Sequence, residues 1–146
     1  MNFNWFLMLF LFNFSVLLGS DTTALGHYQR ANEYYLSKRY YDAIDELVEA
    51  IKINPNYYEA YKFIASIYYS LKIYTQAQFF IEKASKMSNE DTEYKILYAN
   101  ILLKNDKINQ AKKIYSEVLV KQRNNIDALV GLASIFEKKW IIYSCC

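Results

Sequence analysis

The sequence predicts an all-α fold of stacked helix pairs, and three observations lead to this prediction. The 146-residue chain contains only three glycines and one proline, so residues that interrupt helices are scarce. Similar residues, most clearly alanines, recur at intervals of 34 positions. Within each interval, a short polar break separates two segments of helical length. Each interval is therefore expected to form one pair of helices.

The first interval shows why the two segments should pack together. Ala31 and Ala43 lie on either side of a polar break around residues 37–39. Helix axes approach most closely where side chains are small, and alanine also has the highest helix propensity. The second segment should end before Pro55, because proline restricts the residue before it and its ring clashes with the preceding turn. Residues 24–37 are thus expected to pack against the helix that follows them.

The alanine columns predict the contacts within and between pairs. A shift of 34 positions superimposes residues of similar size in several columns at once, which chance does not explain. Alanines of the first two columns should pack within a pair, and those of the third should face the first helix of the next pair. The predicted packing residues are Ala31, Ala43, Ala50, Ala65, Ala77, Ala84, Ala99, Ala111 and Ala133.

This pattern resembles the tetratricopeptide repeat. A small residue is followed three positions later by a large one, an alanine follows after twelve positions, and the first unit ends near a proline. The resemblance covers about five-sixths of the chain and implies a right-handed superhelix. It implies complete units at 24–57, 58–91 and 92–125, and the first helix of an incomplete fourth unit at 126–138.

Several positions depart from the family pattern. Lys38, Lys72 and Asp106 stand in the turns between helices, where glycine is expected. Asn89 and Arg123 replace the proline at the ends of the second and third units. These changes should alter local stability but leave the fold intact.

The C-terminal end of the chain is expected to expose apolar surface. The first helix of the fourth unit carries four apolar residues on one face: Leu129, Leu132, Ala133 and Phe136. Residues 139–146 are expected to form an irregular apolar tail without the pattern of a second helix. Three interpretations stay open: the tail folds back as a cap, it docks into a partner or membrane, or the gene is truncated. Adjacent Cys145 and Cys146 can bond to each other only with strain. They are interpreted as a by-product of the unusual terminus, a link between chains, or an attachment point for lipid or metal.

The first twenty residues carry no charged side chain. The run over residues 5–18 is apolar except for Asn13 and Ser15, which is the length of a signal-peptide core and short for a membrane span. Gly19 and Ser20 supply small residues for cleavage near Ser20. Residues 1–20 are therefore predicted to export the protein as a cleaved signal. An uncleaved membrane anchor over residues 5–18 and a buried N-terminal helix are the alternatives.

The resemblance also implies a binding surface, because the first helices of such repeats line a concave groove. Tyrosine rings and asparagine amides there would suit an extended peptide. The carboxylate clamp that some family members use is not supported, since Asn32 alone fits it cleanly. The groove is expected to carry only scattered charge. The predicted groove residues are Tyr28, Asn32, Tyr35, Lys62, Ser66, Tyr69, Ile96, Asn100 and Leu103.

Composition and residue patterns exclude several function classes. The net charge of +2 is too small to argue for nucleic acid. The single histidine, His27, stands at a helix-packing position, and no catalytic set, cofactor motif or metal-ligand spacing is present in the sequence. The chain is therefore predicted to be a non-enzymatic scaffold that binds a protein or extended peptide.

Export would place this scaffold outside the cytoplasm, in the assembly or maintenance of an envelope complex. The alternatives are a membrane-anchored scaffold, a fragment of a longer repeat protein, or an RNA-binding helical array. Glu59 and Glu93 argue against the RNA-binding array, which needs a basic groove.

Overall fold

The computed structural model describes residues 22–85 and 91–144, and it describes side chains as far as residue 137. The helices of this part of the chain are α1 (Ala24–Leu36), α2 (Tyr40–Ile53), α3 (Tyr58–Ser70), α4 (Tyr74–Ser85), α5 (Thr92–Lys104), α6 (Ile108–Lys121) and α7 (Ile126–Ser144). They pack as the pairs α1–α2, α3–α4 and α5–α6, and each pair also packs on the next. The predicted all-α solenoid is confirmed.

Some sequence predictions concern residues that lie outside this description. They are the export signal or membrane anchor within residues 1–20, the effect of Asn89, and the roles of Cys145 and Cys146. They stay predictions. In the part of the chain that the structure describes, no helix is long and apolar enough to span a bilayer.

The turn inside each pair follows one hydrogen-bonding pattern. Lys38 and Lys72 adopt left-handed backbone conformations with φ of 61° and 62°, and Asp106 has φ of 57°. The amide of Lys38 donates to the Tyr35 carbonyl at 2.9 Å, and the next amide donates to the Tyr34 carbonyl at 2.8 Å. The other two turns repeat this arrangement, which caps the last carbonyls of a helix and normally uses glycine. The sequence thus carries lysine and aspartate where the backbone favours glycine.

The linker between the first two pairs follows from Pro55. Helix α2 ends at Ile53, and Asn54 adopts an extended conformation with φ −125° and ψ 92°. This is the conformation that a following proline imposes. The prediction that the second segment ends just before Pro55 is confirmed.

Most of the predicted packing alanines are buried between the helices. Eight of the nine predicted packing alanines have no exposed surface: Ala31, Ala43, Ala50, Ala65, Ala77, Ala84, Ala99 and Ala111. Larger residues, including Leu47, Ile81 and Tyr115, are fully buried between them. This alternation of small and large residues fills the space between helices and holds neighbouring pairs in register.

The end of the solenoid differs from the prediction in two respects. Ala133 is exposed, because none of the described residues forms a second helix against that side of α7. Helix α7 is buried instead through Ala128 and Ile135, which face the preceding pair. The segment predicted to be an irregular tail continues α7 as far as Ser144, since no glycine or proline interrupts it there.

Candidate functional site

The first helix of each pair lies on one side of the solenoid, where α3 contacts α5 and α5 contacts α7. Two clefts open on this side. The first has a volume of about 290 Å³ and is lined by Tyr28, Glu59, Lys62, Phe63, Ser66, Glu93 and Leu97. The second has a volume of about 230 Å³ and is lined by Thr92, Glu93, Ile96, Leu97, Asn100, Asn125 and Asp127. Glu93 and Leu97 line both clefts, so the two form one continuous surface, the first-helix groove.

Aromatic rings build one wall of the first-helix groove. The Tyr28 ring lies 5.4 Å from the Tyr57 ring and 5.7 Å from the Phe63 ring. Phe63 also meets Tyr35 edge-on at 5.2 Å. Burial raises the pKa of the Tyr28 hydroxyl, so at neutral pH this group is a protonated hydrogen-bond donor. The wall is held in place by packing and needs no large rearrangement to meet a ligand.

The second cleft has an apolar and amide floor. Ile96 is buried within the cluster shared by α5, α6 and α7. The Asn100 side-chain oxygen accepts a hydrogen bond from the Tyr115 hydroxyl at 2.5 Å, which fixes the orientation of the amide. The amide nitrogen has no hydrogen-bond partner among the described residues, so it can donate to a peptide carbonyl.

One ion-pair network crosses the groove between the second and third units. Lys62 Nζ lies 2.7 Å from Asp91 Oδ2 and 3.3 Å from Glu93 Oε2, and the Tyr58 hydroxyl donates to Asp91 at 2.9 Å. Burial by itself would lower the pKa of Lys62. The hydrogen bonds to both carboxylates raise it by more, so the pKa lies above its ordinary value. Burial raises the pKa of Asp91, but the bonds from Lys62 and Tyr58 lower it by more. Lys62 is therefore a charged ammonium that two carboxylates neutralise.

Apart from Lys62, the charged side chains that line the two clefts are carboxylates. Glu59, Glu93 and Asp127 occupy the same position in successive units, 34 residues apart, and all three line the clefts. Lys62 is the one basic side chain among the lining residues of these two clefts. The groove thus combines aromatic and aliphatic surface with an excess of carboxylates.

The nine predicted groove residues divide into three groups. Five of them line the clefts: Tyr28, Lys62, Ser66, Ile96 and Asn100. Tyr35, Tyr69 and Leu103 are half-buried and pack sideways onto neighbouring core residues. Asn32 is exposed on α1, and the lining of neither cleft includes it.

The prediction missed several lining residues, of which Phe63 and Leu97 matter most. They lie 34 residues apart, each directly after a predicted groove position, and Leu97 joins the two clefts. Their large apolar side chains at matching positions were the available signal. Asp127 was missed because groove residues were predicted only for the first three units, and Asp127 lies on the first helix of the incomplete fourth unit.

Outside the groove, the single histidine belongs to a contact between helices. His27 Nδ1 lies 2.8 Å from Glu46 Oε2, and Arg30 Nε donates to the same oxygen at 3.0 Å. This links α1 to α2, as a helix-packing position should. Within residues 22–85 and 91–137, no cluster of three or more histidine, cysteine or acidic residues is arranged to hold a metal ion.

Comparisons with known proteins agree with this architecture. The first tetratricopeptide-repeat domain of Spaghetti (RPAP3), solved with the HSP90 peptide SRMEEVD, is 25% identical and has a TM-score of 0.74, over 82% of this chain and 94% of that one. The first such domain of human RPAP3 is 25% identical with a TM-score of 0.70, over 78% and 90% of the two chains. The Arabidopsis OM64 domain is 20% identical, also with a TM-score of 0.70, over 77% and 93%.

Sequence comparison points to the same family. No curated protein matches the sequence. The family model described as tetratricopeptide repeat matches residues 23–101, which is more than half of the chain. With the helix pairs, their turns and their buried alanines, this match shows that the chain belongs to the tetratricopeptide repeat family.

Proposed function

We propose that this protein is a non-enzymatic scaffold that binds another protein by taking an extended segment of it into the first-helix groove. The observation that carries the proposal is the continuity of the two clefts through Glu93 and Leu97. A single surface crossing successive units matches the shape of an extended chain, whereas one enclosed pocket would suit a small molecule.

The chemistry of the lining supports a peptide ligand. Tyr28 and Phe63 offer ring surface, while Asn100 offers a hydrogen-bond donor for peptide carbonyls. Because these side chains are held by packing and by the Tyr115 hydrogen bond, little conformational freedom is lost on binding. The similar Spaghetti domain, which was solved with a peptide, supports the same class of ligand.

The proposed place of action is outside the cytoplasm, in the assembly or maintenance of an envelope complex. Its support is the uncharged, apolar N-terminal sequence. Cleavage near Ser20 would yield a soluble extracytoplasmic species about 2.4 kDa lighter than the 17.3 kDa chain. Intact mass of the native protein from soluble and membrane fractions tests this. A full-length species in the membrane fraction would instead support a tethered scaffold.

Site-directed photo-crosslinking in cells tests the binding surface. A photoreactive phenylalanine analogue at Ser66 lies in the first cleft, and the same analogue at exposed Glu117 on α6 is the matched control. The proposal predicts a specific crosslinked partner from Ser66 and none from Glu117. An intact protein that crosslinks only from Glu117 would contradict the proposal. Mass spectrometry of the adduct then identifies the partner and the segment bound.

A further inference from the structure

We propose that the segment bound by the first-helix groove is basic, with a lysine or arginine at every third position and apolar residues between them. The inference rests on the proposed function and adds the chemical class of the partner. Its basis is charge complementarity across an otherwise aromatic and aliphatic surface, since Glu59, Glu93 and Asp127 line the same clefts as Tyr28, Phe63 and Leu97.

Lys62, the one cation among the lining residues, does not cancel the negative charge that an incoming ligand would meet. The Lys62 ammonium already contacts both Asp91 and Glu93 and is only 26% exposed. The Glu93 side chain is 87% exposed, so its carboxylate can contact a second cation while Lys62 keeps its bond to Asp91. Among the described residues, neither Glu59 nor Asp127 has an ion-pair partner. A peptide therefore meets three carboxylates, of which one is partly neutralised.

The spacing of the carboxylates fits an extended basic chain. One carboxylate stands on each of three successive first helices, at the same repeat position. Axes of packed helices lie about 8–10 Å apart, and a peptide in the extended polyproline II conformation advances about 3.1 Å per residue with about three residues per turn, so every third side chain points the same way. Basic side chains at every third residue would therefore meet successive carboxylates. The residues between them would lie over Phe63 and Leu97, where apolar contact is available.

The same charges disfavour an acidic peptide. The similar Spaghetti domain is solved with SRMEEVD, a peptide in which three of the last four residues are acidic. In the present groove, such a peptide would face Glu59, Glu93 and Asp127 without an unpaired ammonium from the lining residues. Like charges brought together in a groove oppose binding and so select against that partner class.

Binding of three labelled probe peptides to the full-length protein tests the inference. The probes are blocked decapeptides with the same apolar residues and with lysine, glutamine or glutamate at every third position, measured by fluorescence anisotropy. We expect the lysine probe to bind about tenfold more tightly than the glutamine probe and the glutamate probe to bind most weakly. The preference should shrink at high salt, because exposed charges are screened.

Two groups of variants assign the effect to the groove. Replacing its carboxylates together (Glu59→Gln, Glu93→Gln and Asp127→Asn) should lower affinity for the lysine probe about tenfold and leave the glutamine probe unchanged. Lys62→Gln should raise affinity for the lysine probe, because it releases Asp91 and Glu93. The matched control removes three exposed carboxylates from the second helices: Asp45→Asn, Glu82→Gln and Glu117→Gln.

Each outcome bears on one of the two proposals. Equal binding of lysine and glutamine probes, or a preference for the glutamate probe, would overturn the basic-partner inference while the scaffold function stands. Loss of the lysine preference in the control variant would likewise overturn it, because the effect would then follow total charge. Failure of every probe to bind a protein with intact helical dichroism would count against the peptide-binding function itself.

Discussion

At the scale of the residue, large and small side chains complement each other where a second helix packs on the first helix of the next unit. A fully buried residue of each second helix shares a packing cluster or a contact with the residue sixteen positions later, on the next first helix. At matching repeat positions, Leu47 and Phe63 share one cluster, Ile81 and Leu97 share another, and Tyr115 lies directly against Gly131. The largest second-helix residue thus faces the smallest first-helix residue. Gly131 is needed for space and not for an unusual backbone conformation.

Gly131→Ala tests this fit. A Cβ atom at residue 131 would overlap the ring of Tyr115, which is fully buried and held by its bond to Asn100. The clash should outweigh the gain in helix propensity and lower the free energy of unfolding by about 1–2 kcal/mol. Urea unfolding followed by circular dichroism measures it. The neighbouring exposed Val130→Ala is the control, and equal stability of the two variants would refute the steric account.

Glycine in the left-handed turns should have the opposite effect. Lys38 and Lys72 hold positive φ values, which cost energy for a residue with a Cβ. Replacing either with glycine should stabilise the protein by about 0.5–1 kcal/mol. The control, Lys113→Gly inside α6, should destabilise it by about 1 kcal/mol. A loss of thermal stability in Lys72→Gly would show that the lysine side chain contributes more than the turn geometry costs.

Asp91→Asn separates charge from capping at one residue. The Asp91 side chain caps α5 and pairs with Lys62, and asparagine retains the cap but loses the charge. At pH 7 the variant should be less stable by about 1–2 kcal/mol.

The pH dependence of the Asp91→Asn difference has a defined sign. The pKa of Asp91 in the folded protein is lowered. Its stabilising contribution is therefore present above the unfolded pKa of about 3.9 and is lost as the pH falls through the lower folded pKa. Urea midpoints of the two proteins should converge as the pH falls below about 4. Asp45→Asn, at an exposed position of α2, is the control, and a constant difference down to about pH 2 would refute the ion-pair account.

At the scale of the element, α7 is a first helix that has no second helix of its own unit packed against it among the described residues. Leu129 is 47% exposed and Phe136 is 57% exposed, whereas Leu102, which occupies the position of Phe136 in the preceding unit, is 1% exposed. Leu102 and Phe136 are both large and apolar, so their difference in exposure comes from the neighbouring helix. Helix α6 covers Leu102, and none of the described residues covers Phe136 in the same way.

Substitutions of Leu102 and Phe136, which occupy this repeat position, should therefore change the free energy of unfolding by different amounts. Leu102→Ala should lower the free energy of unfolding by about 2–4 kcal/mol, because it leaves a cavity between α5 and α6. Phe136→Ser should change it by no more than about 0.5 kcal/mol. Calorimetry of the two variants measures both changes. A comparable loss in Phe136→Ser would mean that this face of α7 is covered in solution.

At the scale of the whole molecule, the helix pairs could be predicted from the sequence, whereas the charge of the groove could not. The alanine columns, Pro55 and the 34-residue period concern neighbours close in sequence, so their structural consequences could be predicted. The neutralisation of Lys62 by Asp91 could not be predicted, because the two residues are 29 positions apart in the sequence and meet only when the units stack. Exposure of Ala133 likewise depends on which helices surround α7, and that cannot be read from the local pattern of α7.

The solenoid as a whole presents its first helices as one surface, and we propose that the partner binds there. Amide chemical shifts of the isotope-labelled protein, titrated with the lysine probe, locate the binding surface. Binding in the first-helix groove should change shifts on α1, α3, α5 and α7, most strongly near Lys62, Ser66 and Leu97, and leave the exposed faces of α2, α4 and α6 unchanged. Changes concentrated on the exposed faces of α2, α4 and α6 would contradict this proposal.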